Sequence, residues 1–233
     1  MAKKRVAIVQ SNYIPWKGYF DLIHSVDEFI LYDTVQYTRR DWRNRNRIKT
    51  PRGPAWLTIP VDVKGKYLQR ICDTVISEPG WTISHWETLR LFYAKAPHFV
   101  EYRDELEELY RGCRETHLSR INHRFLSAIC VMLGIRTPLT YWDETGLPEE
   151  KTERLVALCE RAGAGLYLSG PAAKVYLRTE LFLARGIEVA FFDYTGYPEY
   201  DQLYPPFTHE VTVLDLLFMA GRNAPSYMKS FGK

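Results

Sequence analysis

An α/β fold, built on a mostly parallel sheet with helices on both faces, is predicted by two features of the chain. Short apolar runs bounded by polar turns alternate with segments of helical spacing, and the runs are rich in β-branched and aromatic residues. Val6 to Val9 is the first run, broken by SNYIPWKG, and Tyr19 to Ser25 fits a helix behind it. Phe29 to Tyr32 reads as a second strand ending at Asp33. Trp56 to Val61 reads as a third, with Pro60 placing its end at an edge or bend. From Pro79 to Leu133 the spacing becomes helical, in Leu89, Phe92 and Tyr93, then Leu106, Leu109 and Tyr110, then Ile121, Phe125, Ile129 and Met132. Pro97 and Gly112–Cys113 divide this block, and Gly134 ends it. Thr137 to Tyr141 then gives a strand, Glu149 to Arg161 a helix and Leu166 to Leu168 a strand. Gly170 and Pro171 open a helix to Ala184, and after Gly186 the run Ile187 to Phe192 is a strand. Val211 to Met219 closes the pattern as a helix. The expected architecture is Rossmann-like, a single α/β domain over residues 1–233 with a helical insertion at about residues 79–134.

With 46% hydrophobic and 25% charged residues and no low-complexity tract, the chain has the composition of an ordered protein. No apolar run approaches the ~20 residues that span a bilayer, so no integral membrane segment is expected. The opening MAKKRVAIVQ is too short in apolar residues for a secretory signal, which reads as a cytoplasmic protein. Cys72, Cys113, Cys130 and Cys159 lie far apart with no close His companion, so they read as reduced structural thiols and no metal site is expected. Neither a Walker loop nor a G-x-G-x-x-G is present, and no cofactor is expected.

Charge is unevenly spread. The segment RRDWRNRNRIKTPR, Arg39 to Arg52, holds seven cations and one acid, and without it 24 basic residues face 27 acidic ones. Arginine forks match phosphate or carboxylate oxygens, and Asn44 and Asn46 add neutral donors and acceptors between Arg45 and Arg47. The segment therefore points to an anionic partner, a phosphorylated or nucleotide-linked small molecule. Its plainer reading is a solvated loop with a few surface ion pairs.

Ligands of such folds collect beyond the carboxyl ends of the strands, and three polar clusters fall there. After the first strand, Gln10, Asn12 and Tyr13 supply hydrogen-bonding groups, Trp16 a stacking surface, and Gly18 a close approach at a helix start suited to an anion. After the second come Asp33, Gln36 and Trp42 ahead of the arginines. After the fifth come Ser169, Gly170 and Lys174, where capping the helix is the cheaper explanation of Ser169. Tyr194, Tyr197, Tyr200 and Tyr204 form an aromatic loop that either stacks a ring or rivets the loop to the body.

The stretch GYFDLIH partly resembles the opening of nucleotidyltransferases of the HIGH superfamily, with the aromatic and aspartate of the cytidylyltransferase form. His24 is followed by Ser25 and Val26, so the second histidine of that motif is missing. QSNYIPWKGYFDLI, the stretch from Asp33 through Gln36 and Trp42 to NRNRIK, YLSGPAAKVYL, and the closing segment from Tyr200 and Gln202 to VLDLLF together resemble the WbqC-like family over nearly the full length. Where that family commonly reads Tyr-Pro-Gln, this chain has Tyr200, Asp201 and Gln202. The resemblance implies a setting of surface-polysaccharide and nucleotide-sugar biosynthesis and leaves the reaction open.

The resulting expectation is a transferase acting on a nucleotide-linked sugar or related phosphorylated small molecule. His85, between Trp81 and Trp86, is the leading proton-transfer candidate if it faces the cleft, with Asp33 as acidic partner or hydroxyl acceptor and His24 as fallback. Asn12, Trp16, Asp33, Asn44, Arg45 and Asn46 are expected to line one pocket. Two alternatives stand beside this. One is a single-stranded nucleic-acid module, which a single basic patch on an otherwise slightly acidic chain argues against. The other is a noncatalytic partner in a biosynthetic complex. The sequence leaves the oligomeric state open.

Overall fold

A computed structural model describes residues 3–232. In chain order, β1 (Arg5–Val9) leads into α1 (Lys17–His24) and β2 (Glu28–Leu31), then the hairpin of β3 (Arg45–Thr50) and β4 (Gly53–Thr58). Three helices follow, α2 (Trp81–Tyr93), α3 (Phe99–Arg111) and α4 (Leu118–Met132). The chain continues through β5 (Leu139–Thr140), α5 (Lys151–Arg161), β6 (Leu166–Ser169), α6 (Thr179–Leu183), β7 (Glu188–Phe191) and α7 (Val213–Ala220).

Five of these strands make one parallel sheet in the order β5-β2-β1-β6-β7. The chain builds outward from β1 to β2 and β5, then returns to the other side of β1 for β6 and β7. The strand order thus reverses between β1 and β6, where folds of this Rossmann-like kind open a crevice at the carboxyl edge. Alternation distributes the strand residues over two cores. Ala7, Phe29 and Leu31 face a core shared with α1, α2, α3, α4 and α7, whereas Val6, Ile8, Ile30 and Tyr32 face one shared with α5 and α6.

The helical block expected from Pro79 onward is α2 to α4. Gly134 terminates α4 at φ 73°, with Ile135 N–H reaching the Cys130 carbonyl at 2.8 Å, a left-handed cap that favours glycine. Cys113, Cys130 and Cys159 are buried and all four thiols are free. Burial pushes the Cys113 and Cys130 thiols up to about 12, which leaves them inert.

Two expected elements differ. The run around Trp56 is not a strand of the sheet: β4 ends at Thr58 and pairs antiparallel with β3 in a separate hairpin. Gly53, at φ 99°, closes the turn between them. The helix expected from Gly170 to Ala184 is split into a 3₁₀ turn at Pro171–Val175 and α6. Val175 is 92% exposed, so no apolar face carries one continuous helix across Lys174 to Arg178.

Candidate functional site

The strand character of β3 decides what its unusual sequence does. Successive side chains on a strand point to opposite faces, so Asn46 and Ile48 turn into the body while Arg45 and Arg47 turn outward over Trp56 of β4, with guanidinium-to-ring distances of 4.0 and 4.7 Å. The cations of this segment take separate partners. Arg39 donates to the Val63 carbonyl, Arg47 pairs with Glu210 at 2.5 Å, and Lys49 is buried with its ammonium on the Pro206 carbonyl.

Three segments far apart in sequence are knitted together at the carboxyl edge. Tyr13 N–H donates to the Trp42 carbonyl at 3.2 Å and the Asn46 amide donates to the Tyr13 carbonyl at 3.2 Å. Val213 N–H reaches the Pro15 carbonyl at 2.9 Å, and Thr212 N–H reaches the Arg47 carbonyl at 2.8 Å. Arg43 donates to Asn12 Oδ1. These bonds hold buried Ile14 at φ 36°, a left-handed conformation costly for a β-branched residue and sustained only where the surroundings over-determine it.

The junction encloses a cavity of about 330 Å³, within the size range of small-molecule sites. Pro15, Trp16, Trp42 and Tyr194 give it apolar walls; Asn12, Asn46, His209 and Glu210 give it polar groups. Trp16 packs against Tyr194 and Tyr197 at ring distances of 5.5 and 5.4 Å. Its indole lies over the start of α1, where any Cβ on Gly18 would collide with the ring. Gly18 therefore serves to seat Trp16, and the indole lies over that helix start.

His209 enters this wall edge-on to Phe207, with ring centroids 4.6 Å apart, and its Nδ1 is buried without a hydrogen-bond partner among the described residues. Burial, assisted by the nearby Lys17 ammonium, lowers its pKa, so the ring is neutral near pH 7. Lys17 itself is buried among Tyr197, Tyr200 and Tyr227, with its ammonium 2.6 Å from the Pro198 carbonyl. Burial pulls its pKa down to about 8.

Of the residues singled out in the sequence, the cavity gathers Asn12, Trp16, Trp42 and Asn46. Gln10 stands behind it, its carbonyl accepting from Tyr19 at 2.9 Å. Asn44 is buried against Tyr37 and the Ile59 carbonyl, and Arg45 lies on the outer face of the hairpin, so neither shares this wall. Tyr13 and His85 are buried in the core: the Tyr13 hydroxyl meets His85 Nδ1 at 2.9 Å and the Tyr110 hydroxyl at 2.7 Å, and His85 Nε2 meets the Thr58 carbonyl at 3.1 Å. Since a carbonyl only accepts, Nε2 carries the proton and Nδ1 accepts from Tyr13. Both His85 nitrogens are thus spent on the fold.

Asp33 lines a different cavity, its oxygens accepting from Ser11 N–H and the Ser119 hydroxyl. His24 is the last residue of α1, stacked on Phe231 at 3.8 Å and bonded to Ser230 at 2.8 Å, whereas the carboxyl edge lies at the helix's opposite end. Gln36 donates to the Tyr67 carbonyl. Ser169 is buried beside Tyr167, Gly170 precedes the 3₁₀ turn, and Lys174 is exposed near Phe191.

His209, Glu210 and Pro15 were not apparent as site residues in the sequence. His209 carries no motif, and only its place between the tyrosine-rich loop and an apolar helix hints at a role. The departure at Asp201 is exposed, while its neighbours Tyr200 and Gln202 both donate to buried Asp215. Among the described residues no cluster of three or more His, Cys, Asp or Glu is placed to hold a metal ion, and no helix is long and apolar enough to cross a membrane.

Comparison with known proteins gives the lineage of this arrangement. The chain is 51% identical over 226 residues to the uncharacterized protein Rv1507c of Mycobacterium tuberculosis (strain ATCC 25618 / H37Rv), a match covering 97% of this chain and 98% of the relative. No solved structure matches. The segments that build the cavity, from Asn12 to Glu210, lie inside residues 10–227, which match the WbqC-like protein family, and the chain belongs to that family.

Proposed function

We propose that the chain is a transferase acting on a nucleotide-linked sugar or related phosphorylated small molecule in surface-polysaccharide biosynthesis. The observation that carries this reading is the cavity at the carboxyl edge of a parallel sheet, walled by Trp16, Trp42 and Tyr194 and furnished with the Asn12 and Asn46 amides. Aromatic faces suit a base or the C–H face of a sugar, amides suit ring hydroxyls or base edges, and Arg43 and Arg47 stand close enough to the wall to meet a phosphate. An acceptor hydroxyl or amine must lose a proton as it attacks the sugar carbon. That carbon's bond to the phosphate oxygen breaks meanwhile, and the nucleoside diphosphate leaves with the electron pair, its charge met by Arg43 and Arg47. In this reading the base is His209, whose neutral ring lines the cavity, rather than His85, whose nitrogens are occupied.

Isothermal titration calorimetry with UDP-glucose, UDP and glucose 1-phosphate tests the assignment, alongside other nucleoside diphosphate sugars. A nucleoside diphosphate sugar is expected to bind more tightly than its separate parts, and Trp16→Ala to weaken it at least tenfold, about 1.4 kcal/mol. Gly18→Ala is expected to do likewise by displacing the indole while keeping it. Absence of binding across the set, or binding indifferent to both variants, would sink the reading.

One observation favours a second reading. Trp42 and Trp56 are 37% and 40% exposed and carry Arg45 and Arg47 against their rings, a surface on which bases of a single strand stack. Salt-dependent binding of an oligothymidylate, lost in Trp56→Ala, would support it.

A further inference from the structure

A second cavity, of about 380 Å³, opens at the carboxyl ends of β2 and β5. Asp33 builds its wall but is already engaged by Ser11 and Ser119. The ungrouped charges are elsewhere. Glu144 forms no ion pair among the described residues; its Oε2 and the Thr34 hydroxyl are buried close enough to act on each other, but neither completes a hydrogen bond. Arg120, also in the wall, lies over the Tyr141 ring at 5.1 Å and has no carboxylate within 4.0 Å among the described residues.

Leaving a carboxylate oxygen buried and unpartnered is costly, and nearby cations do not relieve it. Arg154 donates to the Pro148 carbonyl at 2.8 Å and Arg70 is bound to Asp73 at 2.6 Å. Burial raises the Glu144 carboxyl above its ordinary value, against the pull of Thr34, Arg154 and Arg70 and with a push from Asp33. The acid lacks a full counter-charge.

An unpaired acid and an unpaired guanidinium that line one cavity without meeting each other are complementary to a ligand carrying both charges. We propose that this cavity binds a small zwitterion, an α-amino acid, with its ammonium donating to Glu144 and Thr34 and its carboxylate held by Arg120. Both orphan atoms can accept, so a three-donor ammonium satisfies them together, and a guanidinium fork matches a carboxylate. This site lies on the β2 and β5 side of the sheet and stands independently of the tryptophan-walled cavity.

Titration calorimetry of the full chain with each of the standard L-amino acids is the test, followed for any binder by its methyl ester and N-acetyl derivative. At least one free amino acid is expected to bind, and removal of either ligand charge to weaken it at least tenfold. Glu144→Gln and Arg120→Gln are each expected to cause a similar loss with little change in the thermal unfolding midpoint, since neither group holds an ion pair among the described residues. The proposal is overturned if no amino acid binds, if the ester or the N-acetyl form binds as well as the parent, or if both variants bind as the wild type does. The ligand derivatives read the same question on unaltered protein should a variant fail to fold.

Discussion

Within the Tyr110–Tyr13–His85–Thr58 chain, His85 is the member whose protonation would break the pattern, because a charged ring could no longer accept from Tyr13. Burial accordingly lowers its pKa to about 4, whereas an unfolded chain titrates near ~6.5. Between those values the unfolded state binds the proton and the folded state does not, so stability falls as pH drops through that window. The loss amounts to roughly 3 kcal/mol at its full extent. His24 and His209 are shifted in the same direction by burial and add to the slope. Urea unfolding of the wild type at pH 7 and pH 4.5 should show this loss, and His85→Phe should flatten it while lowering stability at pH 7. Equal slopes for the two chains would remove His85 as the main acid-sensitive group.

Among elements, α7 and the tyrosine-rich loop depend on one buried carboxylate. Asp215 accepts from Tyr93 at 2.8 Å, Tyr200 at 2.7 Å and Gln202 at 3.0 Å, tying the loop to α7 and α2. The loop, in turn, leads into His209 of the cavity wall. Asp215→Ala strands three donors in the interior and is expected to cost about 2–4 kcal/mol, measured by urea unfolding. Only a few tenths lost would mean that water replaces the carboxylate and the loop is held by other contacts. The hairpin shows how an element can be hidden by composition. NRNRIK looks like a charged loop, but period-two alternation buries Asn46 and Ile48 and puts the arginines over Trp56, so cross-strand stacking takes the place of an apolar outer face.

At the scale of the whole molecule, Asn122 of α4 is a buried tie behind the wall that Asn12 and Trp42 build, donating at 2.9 Å to the Ser11 hydroxyl and at 2.9 Å to the Arg43 carbonyl. Asn122→Ala should cost about 1–3 kcal/mol and weaken ligand binding at the tryptophan-walled cavity by shifting Arg43 and Asn12. Calorimetry and urea unfolding that match wild type would show the wall to be held without it. By itself the sequence determined the parts that local pattern encodes. Val6–Val9, Phe29–Tyr32 and Ile187–Phe192 are legible as strands, Glu149–Arg161 and the block after Pro79 as helices, and the stretch after β1 as a polar turn at the carboxyl edge, because apolar periodicity and turn chemistry act over a few residues. Tertiary structure alone decided which polar residues share a wall. It brought His209 and Glu210 to Asn12 and Trp16, turned Arg45 away, drew His85 into the core and put Asp33 beside Glu144 in another cavity. Those outcomes depend on the strand order and on which face of each element is buried, and both are set by contacts between segments that spacing along the chain does not specify.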